Sequence, residues 1–193
     1  YGLNSMKQEY RETEVRFLEI DENSLVTKLR ELGAKDLGPE ILKEVIFYDR
    51  EAKWRDVGKK FIRLRQGKKG NMLTYKDHQS ATIDGAKEIE VEVSDFDKTI
   101  AFLEELDFPA FRHQEKKRHT FKLGKVTVDI DTWPRIPTYV ELEGESEEDL
   151  KQAATQLGFD WNNAVFDNAR TIIEKRYSVP VGNMRWFTFE KFE

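Results

Sequence analysis

The sequence predicts an α+β fold in which an eight-stranded antiparallel β-barrel has a charged interior and carries helices on its outer, apolar faces. Two observations indicate this architecture. About eight segments alternate between apolar and ionisable residues, as strands with two different faces do, and three amphipathic segments of helical period follow strands of this kind. The basic pairs and the acidic pairs also lie on separate strands, which indicates that the charged faces point toward one another.

A strand followed by a helix occurs three times along the chain: ETEVRFLEI with DENSLVTKLRELGAK, EIEVEV with SDFDKTIAFLEELDF, and YVELEG with ESEEDLKQAATQLGF. In the first helix Leu25 and Leu29 lie one turn apart, and Gly33 marks its end. In the third helix Ser146 and Asp149 resemble a capping box, and Gly158 marks the end. The sequence therefore predicts three similar strand and helix units.

Further strands are predicted between these units, because apolar residues alternate there and glycines mark the turns. They are ILKEVIFYD (41–49), KKFIRLRQG (59–67), NMLTYKD (71–77), EKKRHTFKL (115–123) and KVTVDID (125–131). The stretch AVFDNARTIIEKRY (164–177) is predicted to be helical. We expect residues 1–179 to form one domain and residues 180–193 to form an aromatic tail, which either docks on the domain or reaches a partner.

Each strand divides its residues between two chemically different faces. In the first strand Glu12, Glu14 and Arg16 share one face, while Val15 and Phe17 lie on the other. The other strands place further ionisable residues in phase in the same way. These are Arg63, Arg65, Lys76, Glu88, Glu90, Lys116, Arg118, Asp129, Asp131, Glu141 and Glu143.

Two arrangements fit these faces: a closed barrel with charges inside, or an open sheet with helices on one side and charges in water. Separate acidic and basic strands favour the barrel. Desolvated unpaired charges cost several kcal/mol each, so we expect a wet lumen that binds charged ligands. Its guanidinium and ammonium groups suit a polyphosphate, and its carboxylates suit Mg²⁺ or Mn²⁺ as cofactor.

Composition excludes several other classes of protein. A formal net charge of −5 gives no basic surplus for nucleic acid, and the absence of cysteine excludes disulfides and thiolate metal sites. No apolar run approaches the length of a membrane span, which is about 20 residues. We therefore expect a cytoplasmic protein whose partner is a small molecule, present as a monomer or a homodimer, without nucleic acid or membrane as a partner.

Seven motifs in order resemble the CYTH superfamily of triphosphate tunnel metalloenzymes, which includes class IV adenylyl cyclases, thiamine triphosphatases and inorganic triphosphatases. The motifs are E-x-E-x-R from Glu12, FIRLR, TYK, EIEVEV, KKR, VDID and VELEG. The resemblance covers roughly residues 8 to 177. It implies an eight-stranded tunnel that binds a triphosphate with Mg²⁺ or Mn²⁺.

The resemblance also implies roles for individual residues. The expected metal ligands are Glu12, Glu14, Asp131, Glu141 and Glu143. The expected phosphate-binding residues are Arg16, Arg63, Arg65, Lys76, Lys116 and Arg118. Catalytic roles are expected for Arg16, Glu88 and Glu90. The family usually has Lys where Arg16 stands, and an Arg keeps the charge but does not exchange a proton near neutral pH.

The leading hypothesis is a metal-dependent triphosphatase that removes the terminal phosphoryl group of a nucleoside, thiamine or inorganic triphosphate. A class IV adenylyl cyclase, which converts ATP into cyclic AMP and pyrophosphate, uses the same kind of lumen. A non-catalytic module that binds polyphosphate or a nucleotide is the third hypothesis.

Overall fold

A computed structural model describes residues 11–54, 60–78 and 86–193, without the side chains of Arg11, Glu12, His78 and Ala86. The strands are β1 (Arg11–Phe17), β2 (Lys35–Phe47), β3 (Lys60–Gly67), β4 (Gly70–His78), β5 (Ala86–Val93), β6 (Ala110–Leu123), β7 (Val126–Thr132), β8 (Tyr139–Gly144) and β9 (Trp186–Phe187). The α-helices of the described ranges are α1 (Glu22–Glu31), α2 (Phe96–Glu105), α3 (Glu147–Leu157) and α4 (Ala169–Tyr177).

The first eight strands form a closed antiparallel barrel, as the sequence predicts. Their order is β2-β3-β4-β5-β1-β8-β7-β6, and β6 pairs again with β2 to complete the ring. At the seam between β5 and β1, the pairs among the described residues are Arg11↔Lys87 and Glu12↔Ala86. The longest seam is between β2 and β6, from Lys35↔Lys122 to Phe47↔Ala110. The short strand β9 lies parallel to β6.

The hydrophobic core lies outside the barrel wall, between the strands and the helices. Val15 and Phe17 of β1 pack in one cluster with Leu25 and Leu29 of α1 and Leu150 of α3. A second cluster joins β2, β3 and α2 through Val45, Phe47, Leu64 and Leu103. Because apolar residues face outward to the helices, alternation turns the ionisable residues of the same strands inward.

Side-chain caps fix where the helices begin. The Oδ1 atom of Asp21 accepts a hydrogen bond from the backbone N–H of Ser24, and Asp95 and Asn168 cap α2 and α4 in the same way. At α3, Ser146 Oγ accepts from the N–H of Asp149 at 3.2 Å. The helix ends at Gly158, which has a φ of 86° that favours glycine.

Strands β2 and β6 are longer than the sequence predicts. β2 begins at Lys35 instead of at residue 41, and β6 begins at Ala110 instead of at residue 115. The Gly38-Pro39 pair is typical of a turn, but here a register shift between Asp36 and Gly38 keeps it in the sheet. The two strands support each other along their whole length. Their extensions add Arg112 and Gln114 to the barrel wall.

The C-terminal tail docks on the barrel. The ring of Phe187 is fully buried and stacks on Trp133 with centroids 5.6 Å apart, and Trp186 stacks on His113 at 4.4 Å. The backbone N–H of Trp186 donates to the carbonyl of Glu193 at 2.8 Å. Of the two roles that the sequence leaves open for the tail, docking is therefore observed. None of the described helices has the length and apolar character needed to cross a bilayer.

Truncating Leu29 to alanine should lower the free energy of unfolding by about 2–5 kcal/mol, because this fully buried side chain joins α1 to the barrel wall. The measurement is urea unfolding followed by circular dichroism. Phe102→Ala on α2 is the control, since Phe102 is 63% exposed and its loss should change stability by less than about 0.5 kcal/mol. Equal effects of the two substitutions would contradict an apolar core outside the barrel.

Candidate active site

The barrel encloses a cavity of about 240 Å³ that is lined mainly by ionisable side chains. It contains most of the residues that the resemblance singles out. These are Glu14, Arg16, Arg63, Arg65, Lys76, Glu88, Glu90, Lys116, Arg118, Glu141 and Glu143. The side chain of Glu12 lies outside the described residues, and Asp131 is not among the lining residues.

The two ends of the cavity differ in composition. At one end Glu14 of β1 lies opposite Glu143 of β8, and we call this the carboxylate end. At the other end Ile173, Val181 and Phe187, from α4 and the tail, line the cavity, and we call this the closed end. Residues 139 and 143 of β8 are separated by roughly 13 Å along the strand, which is the distance between the two ends on this wall.

Arg16 connects the first and last strands of the charged wall. Its Nη2 lies 2.9 Å from Glu14 Oε1 and 2.5 Å from Glu141 Oε2, and its Nη1 donates to the carbonyl of Asp167 at 3.0 Å. Burial lowers the pKa of Arg16, but the two carboxylates more than compensate and raise it above its ordinary value. Its Nε is buried and has no acceptor within the described part of the chain. Arg16 therefore stays charged and retains one donor for a ligand.

Glu88 holds two basic residues of the lumen. One oxygen lies 3.1 Å from Arg63 Nη2, and the other lies 2.9 Å from Lys76 Nζ. Glu90 is more exposed and accepts a hydrogen bond from Thr74 Oγ1 at 2.8 Å. The two acids of β5 thus differ: Glu88 is a counter-ion to Arg63 and Lys76, whereas Glu90 is mainly bonded to a neutral hydroxyl.

Asp131 lies behind the basic pair of β6. It is fully buried, accepts from Lys116 Nζ at 2.7 Å, and forms a bidentate pair with Arg118 at 2.7 and 2.6 Å. Burial alone would raise its pKa, but Arg118 and Lys116 lower it below the ordinary value. These contacts orient Lys116 and Arg118 toward the cavity. The metal role that the resemblance implies for Asp131 stays a prediction.

Replacing Asp131 with asparagine distinguishes an anchor from a metal ligand. If Asp131 is an anchor, its loss leaves buried Lys116 without its ion pair and removes one of the carboxylates that pair with Arg118, so D131N should lower the free energy of unfolding by about 3–5 kcal/mol in EDTA. The control is Asp107→Asn, which removes an exposed ion pair with Arg50 and should cost less than about 1 kcal/mol. Unchanged stability of D131N in EDTA would contradict the anchoring role.

Several cavity residues are not among those that the sequence predicts. Glu44 of β2 accepts hydrogen bonds from Arg65 Nε at 2.7 Å and from Gln114 Nε2 at 2.5 Å. Burial would raise its pKa, but Arg65, Arg63 and Lys116 lower it well below the ordinary value. The available signal is a single acid in phase with Leu42 and Ile46 inside the apolar run ILKEVIFYD. Arg112 and Gln114 are missed because the predicted strand begins after them.

One further acidic residue and one aromatic residue, Asp129 and Tyr139, belong to the barrel wall. Asp129, part of the VDID motif, lies 2.5 Å from Arg118 Nη1 and accepts a hydrogen bond from Thr120 Oγ1. Tyr139 is buried, and its hydroxyl accepts a hydrogen bond from the indole N–H of Trp133 at 2.9 Å. Burial raises the pKa of Tyr139 well above its ordinary value, so this phenol stays protonated near neutral pH.

The carboxylate end has the donor chemistry for a divalent cation. Burial raises the pKa of Glu143, and Glu141, Asp129 and Glu14 raise it further. Glu143 has no hydrogen bond or ion pair within the described ranges. No three Asp, Glu or His side chains described here are already arranged around an ion. Nevertheless, the oxygen donors suit Mg²⁺ or Mn²⁺, which Glu14 and Glu143 would hold.

The raised pKa of Glu143 predicts how stability depends on pH. A folded-state pKa above the unfolded value makes ionisation of this carboxyl unfavourable in the folded protein. Glu143→Gln should therefore raise the melting temperature in EDTA at pH 7 by about 2–4 °C, the shift that about 1 kcal/mol produces in a chain of this size. The gain should shrink as pH falls through the raised pKa and vanish below the ordinary Glu value. A gain that persisted at pH 3.5 would contradict ionisation of Glu143 as its cause.

Comparison with known proteins identifies the family. The family model described as CYTH domain matches residues 10–165. No curated protein matches the chain significantly in sequence. Among solved structures, the PH1012 protein from Pyrococcus horikoshii OT3 superimposes with a TM-score of 0.68 and 22% identity, over 81% of this chain and 96% of that one.

Two other solved structures share the fold. A protein from Vibrio parahaemolyticus, described as a proposed adenylate cyclase, superimposes with a TM-score of 0.70 and 12% identity, covering 85% of this chain and 98% of that one. A proposed adenylyl cyclase from Hippeastrum, described as having a dominant triphosphatase activity, superimposes with a TM-score of 0.57 and 13% identity. The match covers 86% of this chain and 95% of that one. Identities this low establish a shared fold. Since the family model covers most of the chain, this protein belongs to the CYTH family, whose members are generally triphosphate-processing enzymes.

Proposed function

We propose that this protein is a divalent metal-dependent phosphohydrolase that cleaves the terminal phosphoryl group from a triphosphate. One observation carries the proposal: basic side chains from several strands converge on one cavity inside the barrel that also has a carboxylate end. They are Arg16, Arg63, Arg65, Lys76, Lys116 and Arg118. Convergent guanidinium and ammonium groups match the closely spaced oxygens of linked phosphates.

The basic groups are held in place before any ligand binds. Arg65 is fixed by Glu44, Arg63 by Glu88, and Arg118 by Asp131. Preorganised charges stabilise the charge that develops on the transferred phosphoryl group without reorganising during the reaction. Because each of these carboxylates lies in the barrel wall, the basic side chains can bind the phosphate chain and keep their ion pairs with the carboxylates.

In the proposed reaction, a water oxygen forms a bond to the terminal phosphorus while the bond from that phosphorus to the bridging oxygen breaks. Glu14 and Glu143 would hold a divalent ion, which would supply charge neutralisation for the phosphate oxygens that lie nearest the carboxylate end. Arg16 supplies charge and not a proton, since a guanidinium does not lose its proton in this pH range. We assign Glu90 as the acceptor of the water proton, because its carboxylate is the one in the β5 pair not committed to Lys76.

Formation of cyclic AMP is the nearest alternative, since three solved proteins with this fold are described as proposed adenylyl cyclases. Cyclisation requires the ribose to be held beside the phosphates. The cavity of about 240 Å³ is smaller than the roughly 300–1,000 Å³ that encloses a drug-sized ligand. This volume favours a phosphate chain over a whole nucleotide, and therefore favours hydrolysis.

Phosphate release tests the proposal. Purified protein with Mg²⁺ or Mn²⁺ should release orthophosphate from at least one of tripolyphosphate, ATP and thiamine triphosphate. Glu14→Gln should reduce kcat/KM by at least about 100-fold, because a ligand of the cation is lost. Glu105→Gln, an exposed acid of α2, is the matched control and should keep full activity.

The products separate the three hypotheses. Orthophosphate with diphosphate from tripolyphosphate supports hydrolysis, and cyclic AMP with pyrophosphate from ATP would establish the cyclase instead. Tight binding without any turnover would support the non-catalytic module. Release that is unaffected by E14Q would contradict the assigned metal position.

A further inference from the structure

A buried guanidinium that belongs to none of the family motifs lies at the closed end of the cavity. Arg112, near the start of β6, is only 4% exposed and lines the cavity. Its neighbours there are Tyr48, which follows the end of β2, and Asn168 and Arg170, from the start of α4. This end therefore has two guanidinium groups, of which that of Arg170 pairs with Glu174 at 3.2 Å, and it is built partly from segments beyond the tunnel motifs.

Arg112 has neutral groups as its hydrogen-bond partners. Its Nε donates to Gln114 Oε1 at 2.7 Å, and its Nη1 donates to the carbonyl of Val181 at 2.8 Å. It forms no ion pair with any carboxylate in the described ranges 11–54, 60–78 and 86–193. Burial lowers its pKa, as expected for a buried cation without an ion pair. A buried cation without an ion pair is unfavourable, and an anionic ligand would offset that cost.

A chain of short hydrogen bonds fixes Arg112 relative to the phosphate-binding candidates. Arg112 donates to Gln114, Gln114 donates to Glu44 at 2.5 Å, and Glu44 accepts from Arg65 at 2.7 Å. Arg65 is one of the proposed phosphate ligands. The guanidinium at the closed end is thus held at a set distance from the basic cluster by residues of β2, β3 and β6.

Strand β6 presents a row of polar groups along the cavity. Arg112, Gln114, Lys116 and Arg118 share the inner face, because residues two apart in a strand point the same way. The Cα atoms of Arg112 and Arg118 are separated by roughly 20 Å along the strand. A single phosphate cannot contact both ends of this row. Long basic side chains spaced along the strand suit a linear chain of linked phosphates.

We propose that Arg112 binds the free terminal phosphate of a substrate that enters the tunnel phosphate end first, as a chain of three or more linked phosphates. This rests on the proposed function and adds the orientation of the substrate. Any organic group attached to the chain then remains toward the carboxylate end. Arg112 is a binding residue for the phosphate group furthest from that substituent.

The closed end is poorly suited to a nucleobase. Trp133 is a large aromatic side chain there, but its ring already stacks on Phe187 and lies 5.2 Å from the Lys116 ammonium. Phe187 is fully buried and in turn contacts Phe192. A base would also have to lie beside the guanidinium of Arg112 without offering it a negative charge. A terminal phosphate satisfies that charge.

The test is calorimetric binding of tripolyphosphate in EDTA, so that binding is measured without turnover. Arg112→Met should weaken the affinity at least tenfold, because a buried charged contact is lost. Arg112→Lys should restore part of it. Arg50→Met is the matched control: it removes the same charge from an exposed residue that follows β2 and should leave affinity within about twofold.

Binding of ATP tests the orientation, and thermal unfolding detects a folding defect. ATP affinity should fall together with tripolyphosphate affinity in R112M, and unchanged ATP affinity would show that ATP enters base first and overturn the orientation. If R112M does not fold, Arg112→Gln takes its place, because glutamine keeps hydrogen-bonding groups and removes the charge: at least tenfold weaker binding of tripolyphosphate by folded R112Q supports the subsite, and affinity equal to wild type overturns it. Tripolyphosphate binding by folded R112M equal to wild type would overturn the subsite. Binding with no phosphate release would instead contradict only the hydrolase.

Discussion

The compensation of buried charge inside a closed barrel is the constraint on which the rest of this structure depends. Cations on one strand are held by carboxylates on neighbouring strands, as in Arg16 with Glu141, Arg65 with Glu44 and Arg118 with Asp131. Removing one partner from such a pair leaves a desolvated charge, which costs far more than a surface ion pair contributes. The network therefore determines which strands can be neighbours as well as what the lumen can bind.

This arrangement places the apolar core outside the barrel. Small barrels are often filled by apolar side chains, but here the helices take that role on the outer surface, as with Phe17 against α1 and α3. Hydrophobic stabilisation and ligand chemistry thus use opposite faces of the same strands. The lumen can retain charged groups that have no ion pair within the described residues, such as Glu143 and Arg112, because the stability of the fold comes from the other face.

These two charged groups lie at opposite ends of the cavity and have opposite signs. Glu143 lies at the carboxylate end with a raised pKa, and Arg112 lies at the closed end without a carboxylate partner in the described residues. A linear chain of phosphates that carries a bound cation at one end complements this arrangement, with the cation at the carboxylate end and the free phosphate at Arg112. The tail contributes to this asymmetry, since the Val181 carbonyl positions Arg112 and Phe187 covers the same end.

The sequence by itself determined the alternating faces, the positions of most strands and helices, and many of the residues of the lumen, because side-chain alternation and helix caps are local properties. It also indicated closure, through the separation of acidic and basic strands. It did not reveal Glu44, Arg112 or Gln114, or the way Asp131 is enclosed by Lys116 and Arg118. Those depend on which strands become neighbours and on the extended pairing of β2 with β6, which residues distant in the chain decide together. Only the tertiary structure could therefore decide which charges are compensated and which are left for a ligand.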